Sequence, residues 1–287
     1  MSRLQELERH IASMTELRDV VGALRSLAGI RVQEAQRALS GVRRYADAMD
    51  DSIAGALRLI EQRAVLGRPA RPRRALLLFM AEHGFVGGFN ETLLNSPEAA
   101  PSDADALFVL GSRGAALASE RGRRIDWHGP VATRAASAAV SIRGVAAELY
   151  RRIARAEISL VEAVFARTRQ GAPAAIVRRT VFPLDYERLG RKRQGTAPMH
   201  NLRPQPLLEK LVAEYVFALL TEAAIESIAS ENAARFAAMD SAHDNVTKKL
   251  DELCGSARQA RQSEITEELL DLATGAEALG ARTSGAV

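Results

Sequence analysis

Cysteine, aromatic residues and long apolar runs are all scarce in this sequence. Its single cysteine, Cys254, excludes an internal disulfide and a cysteine-rich metal site, and fits a reducing cytoplasm. Aromatic residues make up 5% of the chain, which suits thin helical packing better than a bulky core. No stretch approaches the roughly 18 uninterrupted apolar residues of a membrane-spanning helix, and the mixed charges of the opening MSRLQELERH do not form a signal peptide. We therefore expect a soluble protein.

Charge of both signs is present, with a small basic excess. The net charge is +4 and the isoelectric point is about 9.6, which favours anionic partners without requiring nucleic acid. The basic clusters at residues 68–74 and 191–193 are interpreted as solvated loop charge, because no recognition motif accompanies them. Three histidines lack the spacing of metal ligands: His83, His128 and His200. We predict no nucleic-acid partner, no metal and no cofactor.

Proline is missing from both ends of the chain. All ten prolines lie between Pro69 and Pro206. Because proline removes a backbone donor and clashes with the preceding helical turn, its absence permits long unbroken helices. This distribution divides the chain into a helical segment at 1–66, a central domain at 67–205 and a second helical segment at 206–287.

The first helical segment has the apolar period of a coiled coil. Every seventh residue of one row is apolar: Leu7, Met14, Val21, Ala28, Ala35, Val42, Met49 and Ala56. A companion row is interrupted by two arginines: Leu4, Ile11, Arg18, Arg25, Val32, Leu39, Ala46, Ile53 and Ile60. A helix of this length cannot bury its apolar stripe alone, so it needs a helical partner.

The last segment has a matching stripe. Its seam alternates steps of four and three: Ile225, Ala229, Asn232, Phe236, Met239, His243, Val246, Leu250, Leu253, Ala257 and Ala260. Asn232 and His243 are polar members of this seam, and are interpreted as residues that fix the register of the pair. Two stripes at opposite ends of one chain most simply pack together. We predict a long antiparallel two-helix coiled coil, with helices on the order of 90–100 Å.

The central segment has the pattern of a small α/β domain. Apolar runs at 73–80 and 106–111 predict buried strands, and 125–127 predicts a short one. Helices are expected at 112–120 and 138–156. Two further strands, 159–169 and 174–184, flank a hairpin signal at 170–173. The predicted fold class is α+β, with a Rossmann-like α/β domain inserted between the two coiled-coil helices.

The glycine-rich segment at 81–90, AEHGFVGGFN, is the most site-like stretch of the domain. Its glycines could let a backbone approach a phosphate. However, Gly84, Gly87 and Gly88 lack both the lysine of a P-loop and the spacing of a dinucleotide fold. We interpret the segment as a tight strand-to-helix turn, capped near Asn90.

Sequence motifs accompany the period of the final helix. Residues 215–242 are YVFALLTEAAIESIASENAARFAAMDSA, followed by ARQSEITEEL at 260–269 and DLATGAEAL at 271–279. These motifs resemble the last helix of the gamma subunit of F-type ATP synthases. Residues 11–36 resemble the first helix of that family without a gap, and residues 84–90 resemble its G-x-C-G-G-x-N turn. The resemblance extends over the whole chain in the right order.

This resemblance implies a non-catalytic rotor, the central stalk of a rotary ATP synthase. In that family the coiled coil lies inside three alpha and three beta subunits, and the α/β domain rests on the membrane c-ring beside epsilon. The rotor transmits torque that couples proton or sodium movement to ATP synthesis or hydrolysis on the partner subunits. The implied location is peripheral, on the cytoplasmic face of the inner (plasma) membrane, with a single copy per complex.

The same resemblance implies which residues contact the partners. On the last helix, the family's contacts with beta correspond to Arg261, Gln262 and Thr266. Glu231 and Arg235 lie further back on that helix. Leu24, on the first helix, occupies a position sensitive to coupling. A side-chain fork such as Arg261 suits a carboxylate partner.

The chain also departs from the family pattern. The residues concerned are Thr15, Glu16, Leu17, Val86, Asn232, Phe236 and Asp240. They are compatible with a divergent branch, such as the alternate, sodium-type ATPases. Two other functions stay open: a coiled-coil adaptor without a motor role, and a nucleotide-binding enzyme. The first is opposed by the retention of Arg261, Gln262, Ile265 and Thr266. The second is opposed by the incomplete glycine loop.

Overall fold

The computed structural model describes residues 3–59, 73–102, 105–169, 172–185 and 199–284. The long helices are α1 (Arg3–Ala56) and α5 (Pro204–Ser284). Between them lie the short helices α2 (Phe89–Leu94), α3 (Ser112–Glu120) and α4 (Ala138–Ala154). The strands are β1 (Arg74–Phe79), β2 (Ala106–Leu110), β3 (Trp127–Gly129), β4 (Leu160–Arg169) and β5 (Ala172–Phe182).

Most element boundaries follow the local signals in the sequence. Helix α3 has the predicted bounds, and α5 begins at Pro204, two residues before the predicted Pro206. Both prolines fall in the first turn of α5, where the backbone N–H groups have no partner within the helix. The predicted third strand was wrong by two residues, since β3 begins where the prediction ended. Residues 68–72 of the first basic cluster and the whole cluster at 191–193 lie outside the described residues. For Arg74 the prediction of solvated loop charge was wrong: it begins β1, its side chain is 18% exposed, and it pairs with Asp105 and with Glu162 at 3.1 Å.

The central strands form one mixed five-stranded sheet in the order β3-β2-β1-β4-β5. Strand β1 is parallel to both of its neighbours, so that Leu77 is opposite Phe108 of β2 and Ala163 of β4. Strand β5 is antiparallel to β4. All residues of β1 after Arg74 are buried, as expected for a central strand covered on both faces.

The chain divides into two compact units, residues 26–238 and residues 1–25 with 239–287. In the smaller unit α1 and α5 are antiparallel, because Arg25 pairs with Asp240 at 2.9 Å and Glu8 pairs with Arg261 at 2.7 Å. In the larger unit they are antiparallel as well. There, a Cβ at Gly29 would lie 3.6 Å from the Phe236 ring, while Arg43 contacts Glu222.

The predicted seams are buried in part. The buried members include Val21, Ala28, Ala35, Ile225, Ala229, Met239, Leu250 and Ala257. Phe236 is an exception, since 40% of it is exposed. Asn232 is buried, but its amide bonds with Ile228 O and Arg235 on its own helix. Its bonds are therefore within α5 and do not cross to α1, contrary to the predicted role in register.

Helix α5 is enclosed on all sides over one stretch of the larger unit. Every residue from 220 to 232 is buried, including the polar side chains. A two-helix coiled coil buries only one stripe of each helix. Here the second covering layer is the sheet, because β1, β4 and β5 contribute to the same core cluster as α1 and α5. The heptad pattern predicted the contact with α1 and missed the contact with the sheet.

Candidate functional site

The carboxyl end of the parallel strands is where an open α/β sheet binds ligands, at the point where strand order reverses. In this sheet that point lies between β1 and β4. Helix α5 occupies it: Ser227 Oγ donates to Phe79 O, the last residue of β1, at 3.0 Å. Ser230 Oγ donates to Ala166 O of β4 at 3.0 Å. The crevice that would hold a nucleotide is thus filled by the chain's own helix.

The other side of the same edge is closed by Glu82. Its carboxylate accepts hydrogen bonds from Ser112 Oγ at 2.7 Å, Ser112 N at 3.0 Å and Val131 N at 2.9 Å. Burial by itself raises the pKa of Glu82, but these donors outweigh burial and hold the pKa below its usual value. Glu82 therefore joins the end of β1 to the start of α3 as a charged, internally satisfied group.

The glycine-rich segment forms a strand-to-helix turn, as predicted. Phe85 and Gly87 both have positive φ, at 61° and 55°. Asn90 does not cap α2; it lies in the helix, and its Oδ1 accepts from Ala81 N at 2.9 Å. The turn faces α5, because a Cβ at Gly87 would lie 3.8 Å from the Ala238 side chain. The turn thus packs on α5 through its backbone. Phe85 points away from this contact, since 72% of the residue is exposed.

Two of the predicted partner contacts, Glu231 and Arg235, are instead buried beneath this turn. Their side chains are 4% and 10% exposed, and they pair with each other at 2.7 Å. Arg235 Nη2 also donates to Gly84 O at 3.4 Å. Burial raises the pKa of Glu231, although Arg235 acts in the opposite direction. In the described chain these residues attach the glycine turn to α5, so they have little surface left for a partner.

The remaining predicted contacts on α5 are exposed. Arg261 has a 61% exposed side chain and pairs with Glu8 of α1. Gln262 and Thr266 are also exposed, and Thr266 Oγ1 donates to Gln262 O at 2.8 Å. None of these side chains is needed for a buried contact. The surface that they form is available to a partner.

Leu24, the predicted contact on α1, is half-buried. Leu17 and Val20 precede it by seven and four positions, so the three side chains share one helical face. Leu17 is 44% exposed and Val20 is 57% exposed. The exposed part of this apolar face, at Leu17 and Val20, is available to a second protein.

Sequence reasoning missed a group of charges between α5, α1 and the sheet. Glu222 accepts from Arg43 Nε of α1 at 3.1 Å and from Arg179 Nη1 of β5 at 2.6 Å. Glu226, one turn later, contacts the Arg43 Nη2 atom and lies 3.3 Å from Arg167 Nε of β4. The two glutamates interrupt the apolar stretch LLTEAAIES. That interruption was the available signal, since charge inside an apolar helix needs partners.

A cavity of about 510 Å³ opens at the opposite, amino-terminal edge of the sheet. Its lining has charges of both signs, and Asp105 is already paired with Arg74. Arg152 bonds with Glu148 at 2.7 Å. The cavity lies far from the carboxyl ends of the strands, where such sheets bind ligands, and the glycine turn is not part of the cavity lining. The cavity therefore gives the nucleotide-enzyme hypothesis no support.

The described residues contain neither a membrane-spanning helix nor a cluster of metal-ligating side chains. Within them, no helix is long and apolar enough to cross a membrane. Among the same residues, no group of three or more His, Cys, Asp or Glu side chains could hold a metal ion.

The fold and the site together define a class of protein. In this class two long helices are paired, an α/β domain packs on one of them, and that helix fills the crevice of the sheet where a ligand would bind. The chain belongs to the ATP synthase family, whose model matches residues 3–279. It is similar to the ATP synthase gamma chain of Saccharopolyspora erythraea, with 28% identity over 99% of this chain and 100% of that protein. The gamma chain of Paracoccus denitrificans is 27% identical, over 97% of this chain and 100% of the other.

Solved structures share the fold. One chain of the mitochondrial ATP synthase of Euglena gracilis, from a structure of OSCP, F1 and c-ring, superposes with a TM-score of 0.65. That match is 14% identical and covers 97% of this chain and 95% of the other. A chain of the central stalk and c-ring of the Tetrahymena thermophila enzyme matches with a TM-score of 0.57 and 15% identity, over 78% of this chain and 99% of that one. At these identities the likeness shows the fold alone.

Proposed function

We propose that this chain is the central-stalk rotor subunit of an F-type ATP synthase. It transmits torque between the membrane ion-translocating ring and the alpha–beta catalytic hexamer. The observation that carries the proposal is the family match over residues 3–279, together with full-length similarity to gamma chains. A closed ligand crevice supports the non-catalytic part, because Ser227 and Ser230 occupy the place where a nucleotide would bind.

The finer architecture is part of this proposal. We infer a long antiparallel two-helix coiled coil, built from segments 1–66 and 206–287, with a Rossmann-like α/β domain at 67–205 inserted between them. Antiparallel pairing of α1 and α5 inside each unit supports the coiled coil. The strand order β3-β2-β1-β4, all parallel, supports the Rossmann-like description.

The partners follow from the rotor role. Alpha and beta subunits would surround the helix pair and contact Arg261, Gln262 and Thr266 on α5 and Leu24 on α1. The exposure of these α5 side chains supports such a contact. Epsilon and the c-ring would contact the α/β domain, with one copy of this chain in each complex. As part of this proposal, the chain would lie peripherally at the cytoplasmic face of the inner membrane, with catalysis on the partner subunits.

Reconstitution tests the proposal directly. We expect this chain, mixed with the alpha and beta subunits of its own organism, to give a complex that contains three copies of each partner and one copy of the chain. A bead attached to the α/β domain should then rotate when ATP is added. If the chain forms no stoichiometric complex with alpha and beta, the coiled-coil adaptor becomes the better description.

A further inference from the structure

The surface of α5 against which the sheet and α1 pack combines four alanines with larger apolar side chains, among them Leu220, Ile225 and Ile228. Ala218, Ala223, Ala224 and Ala229 are all at most 1% exposed. Helices in contact resist sliding and rotation because side-chain ridges enter grooves, and alanine ridges are shallow. Apolar packing is non-directional, and at the alanine positions it opposes a turn of α5 about its own axis only weakly.

The buried charges near the middle of α5 add directional contacts to α1 and to the sheet. Glu222 and Glu226 are one turn apart, and Arg43 of α1 contacts both. From the sheet, Arg179 reaches Glu222 at 2.6 Å and Arg167 reaches Glu226 at 3.3 Å. Each carboxylate thus has one partner on α1 and one on the sheet. We name these five residues the polar clamp.

The sheet side of the polar clamp is held in place by its own contacts. The guanidinium groups of Arg167 and Arg179 lie over the Phe165 ring, at 5.6 and 5.1 Å from its centre. Phe165 is fully buried, and Arg179 Nη2 also donates to Leu219 O at 2.6 Å. These arginines cannot follow a turning helix without leaving the ring.

A rotation of α5 would break the polar clamp early. Side-chain ends lie about 5–6 Å from a helix axis, so a turn of about 30° moves them by about 3 Å. That displacement is as large as the hydrogen-bond length itself, so the bonds would be lost. The carboxylates would then be left without partners, because the side chains of Glu222 and Glu226 are only 9% and 3% exposed.

We propose that the polar clamp adds the directional ion pairs that fix the angle of the α/β domain about α5. Torque then passes between the domain and the helices through these ion pairs as well as through apolar packing and the Ser227 and Ser230 hydrogen bonds. The inference rests on the proposed rotor function. It assigns Glu222, Glu226, Arg43, Arg167 and Arg179 as positioning residues. Ion pairs with a buried carboxylate contribute little net stability, and in some proteins they specify a single packing geometry, which is what this role requires.

The test uses the double substitution Glu222→Gln and Glu226→Gln, which keeps side-chain volume and removes both charges. Glu148→Gln is the matched control, because Glu148 also bonds two arginines, Arg151 and Arg152, but all three lie in α4. In the full chain alone, amide hydrogen exchange of β4 and β5 should become about tenfold faster or more in the double variant. Exchange in β3, at the far edge of the sheet, should not change, and the control should match wild type.

The reconstituted complex gives the mechanical readout. With the catalytic hexamer fixed and a bead on the α/β domain, the spread of bead angles during each pause should be wider for the double variant than for Glu148→Gln. ATP hydrolysis should be retained, while ion pumping per ATP falls. Unchanged exchange and an unchanged angular spread would overturn the proposal.

The two levels of inference fail separately. If the chain never assembles with alpha and beta, the rotor function falls, while hydrogen exchange in the chain alone still decides whether the polar clamp holds the sheet. If the double variant does not fold, Arg179→Lys decides by the same measurements. Lysine keeps the charge but lacks the planar guanidinium that donates to Glu222 and to Leu219 O at the same time. The spread of bead angles should therefore be wider in Arg179→Lys. A spread equal to wild type refutes the polar clamp.

Discussion

Replacing Arg261 and Gln262 together by alanine should damage coupling while leaving the chain folded. The magnitude follows from exposure: Arg261 is 61% exposed and Glu8, its partner, is 49% exposed, at 2.7 Å. Exposed ion pairs contribute about 0–1 kcal/mol, and alanine returns a few tenths of a kcal/mol through helix propensity. The hydrogen bond from Thr266 Oγ1 uses the backbone oxygen of residue 262 and survives. The free energy of unfolding should therefore change by less than about 1 kcal/mol.

Inside the proposed complex the same two side chains would lose their water. Each charge-assisted hydrogen bond to a partner would then be worth about 1.5–3 kcal/mol, so the double variant should lose contact energy well beyond its small effect on folding. We expect an assembled complex with reduced ATP-driven ion pumping per ATP hydrolysed. The assay measures both rates on the same membrane vesicles.

The sequence provides a matched control for this experiment. Arg258 and Gln259 repeat the Arg-Gln pair three residues earlier, and both are exposed on the same helix. Replacing Arg258 and Gln259 by alanine makes the same change in composition and helix propensity. This control pair precedes the ARQSEITEEL motif, which begins at residue 260, and so is not part of the predicted contact. Coupling equal to wild type in both double variants would refute the assigned contact. A loss of several kcal/mol of stability in the Arg261 variant would instead contradict its exposed position.

Further predictions concern stability. Burial raises the pKa of Glu222, but Arg179 and Arg43 outweigh burial and lower the pKa below its usual value. The stabilisation from the charged carboxylate is therefore present above about pH 4.3 and is lost as the pH falls through the lower folded pKa. In Glu222→Gln, the free energy of unfolding measured with urea should consequently depend less on pH between pH 7 and 3 than in wild type. Gly111 has a φ of 107°, and a Cβ there would overlap Met80 O, so Gly111→Ala should lower the free energy of unfolding by about 3 kcal/mol or more. Gly144 lies in the middle of α4 with open space around it, so Gly144→Ala should raise the free energy of unfolding by about 1 kcal/mol. Thermal unfolding of both variants and of wild type measures these changes. Ser227→Ala should lower unfolding free energy by about 0.5–1.5 kcal/mol in urea titrations, yet create no saturable nucleotide binding by calorimetry, since α5 still fills the crevice.

Local pattern was enough to predict the elements and their order. The absence of proline permitted long end helices, and the heptad stripes required them to be paired. Strands β1 and β2 were recognisable because central parallel strands are apolar along their whole length. These signals depend on neighbouring residues and on a fixed helical or strand period. The motifs at 215–242 and 260–269 indicated the family, and the match of the family model to residues 3–279 confirms it.

Tertiary structure decided what surrounds α5. The seam predicted one covered stripe, but 220–232 is buried on every side because β1, β4 and β5 pack on the face that α1 leaves open. Glu231 and Arg235 were predicted to face a partner and are buried under the glycine turn instead. Arg43 and Glu222 are 179 residues apart in the chain, so their pairing leaves no periodic trace. Periodicity reports which face of a helix is apolar; which distant charges meet there depends on how the sheet and both helices pack in three dimensions.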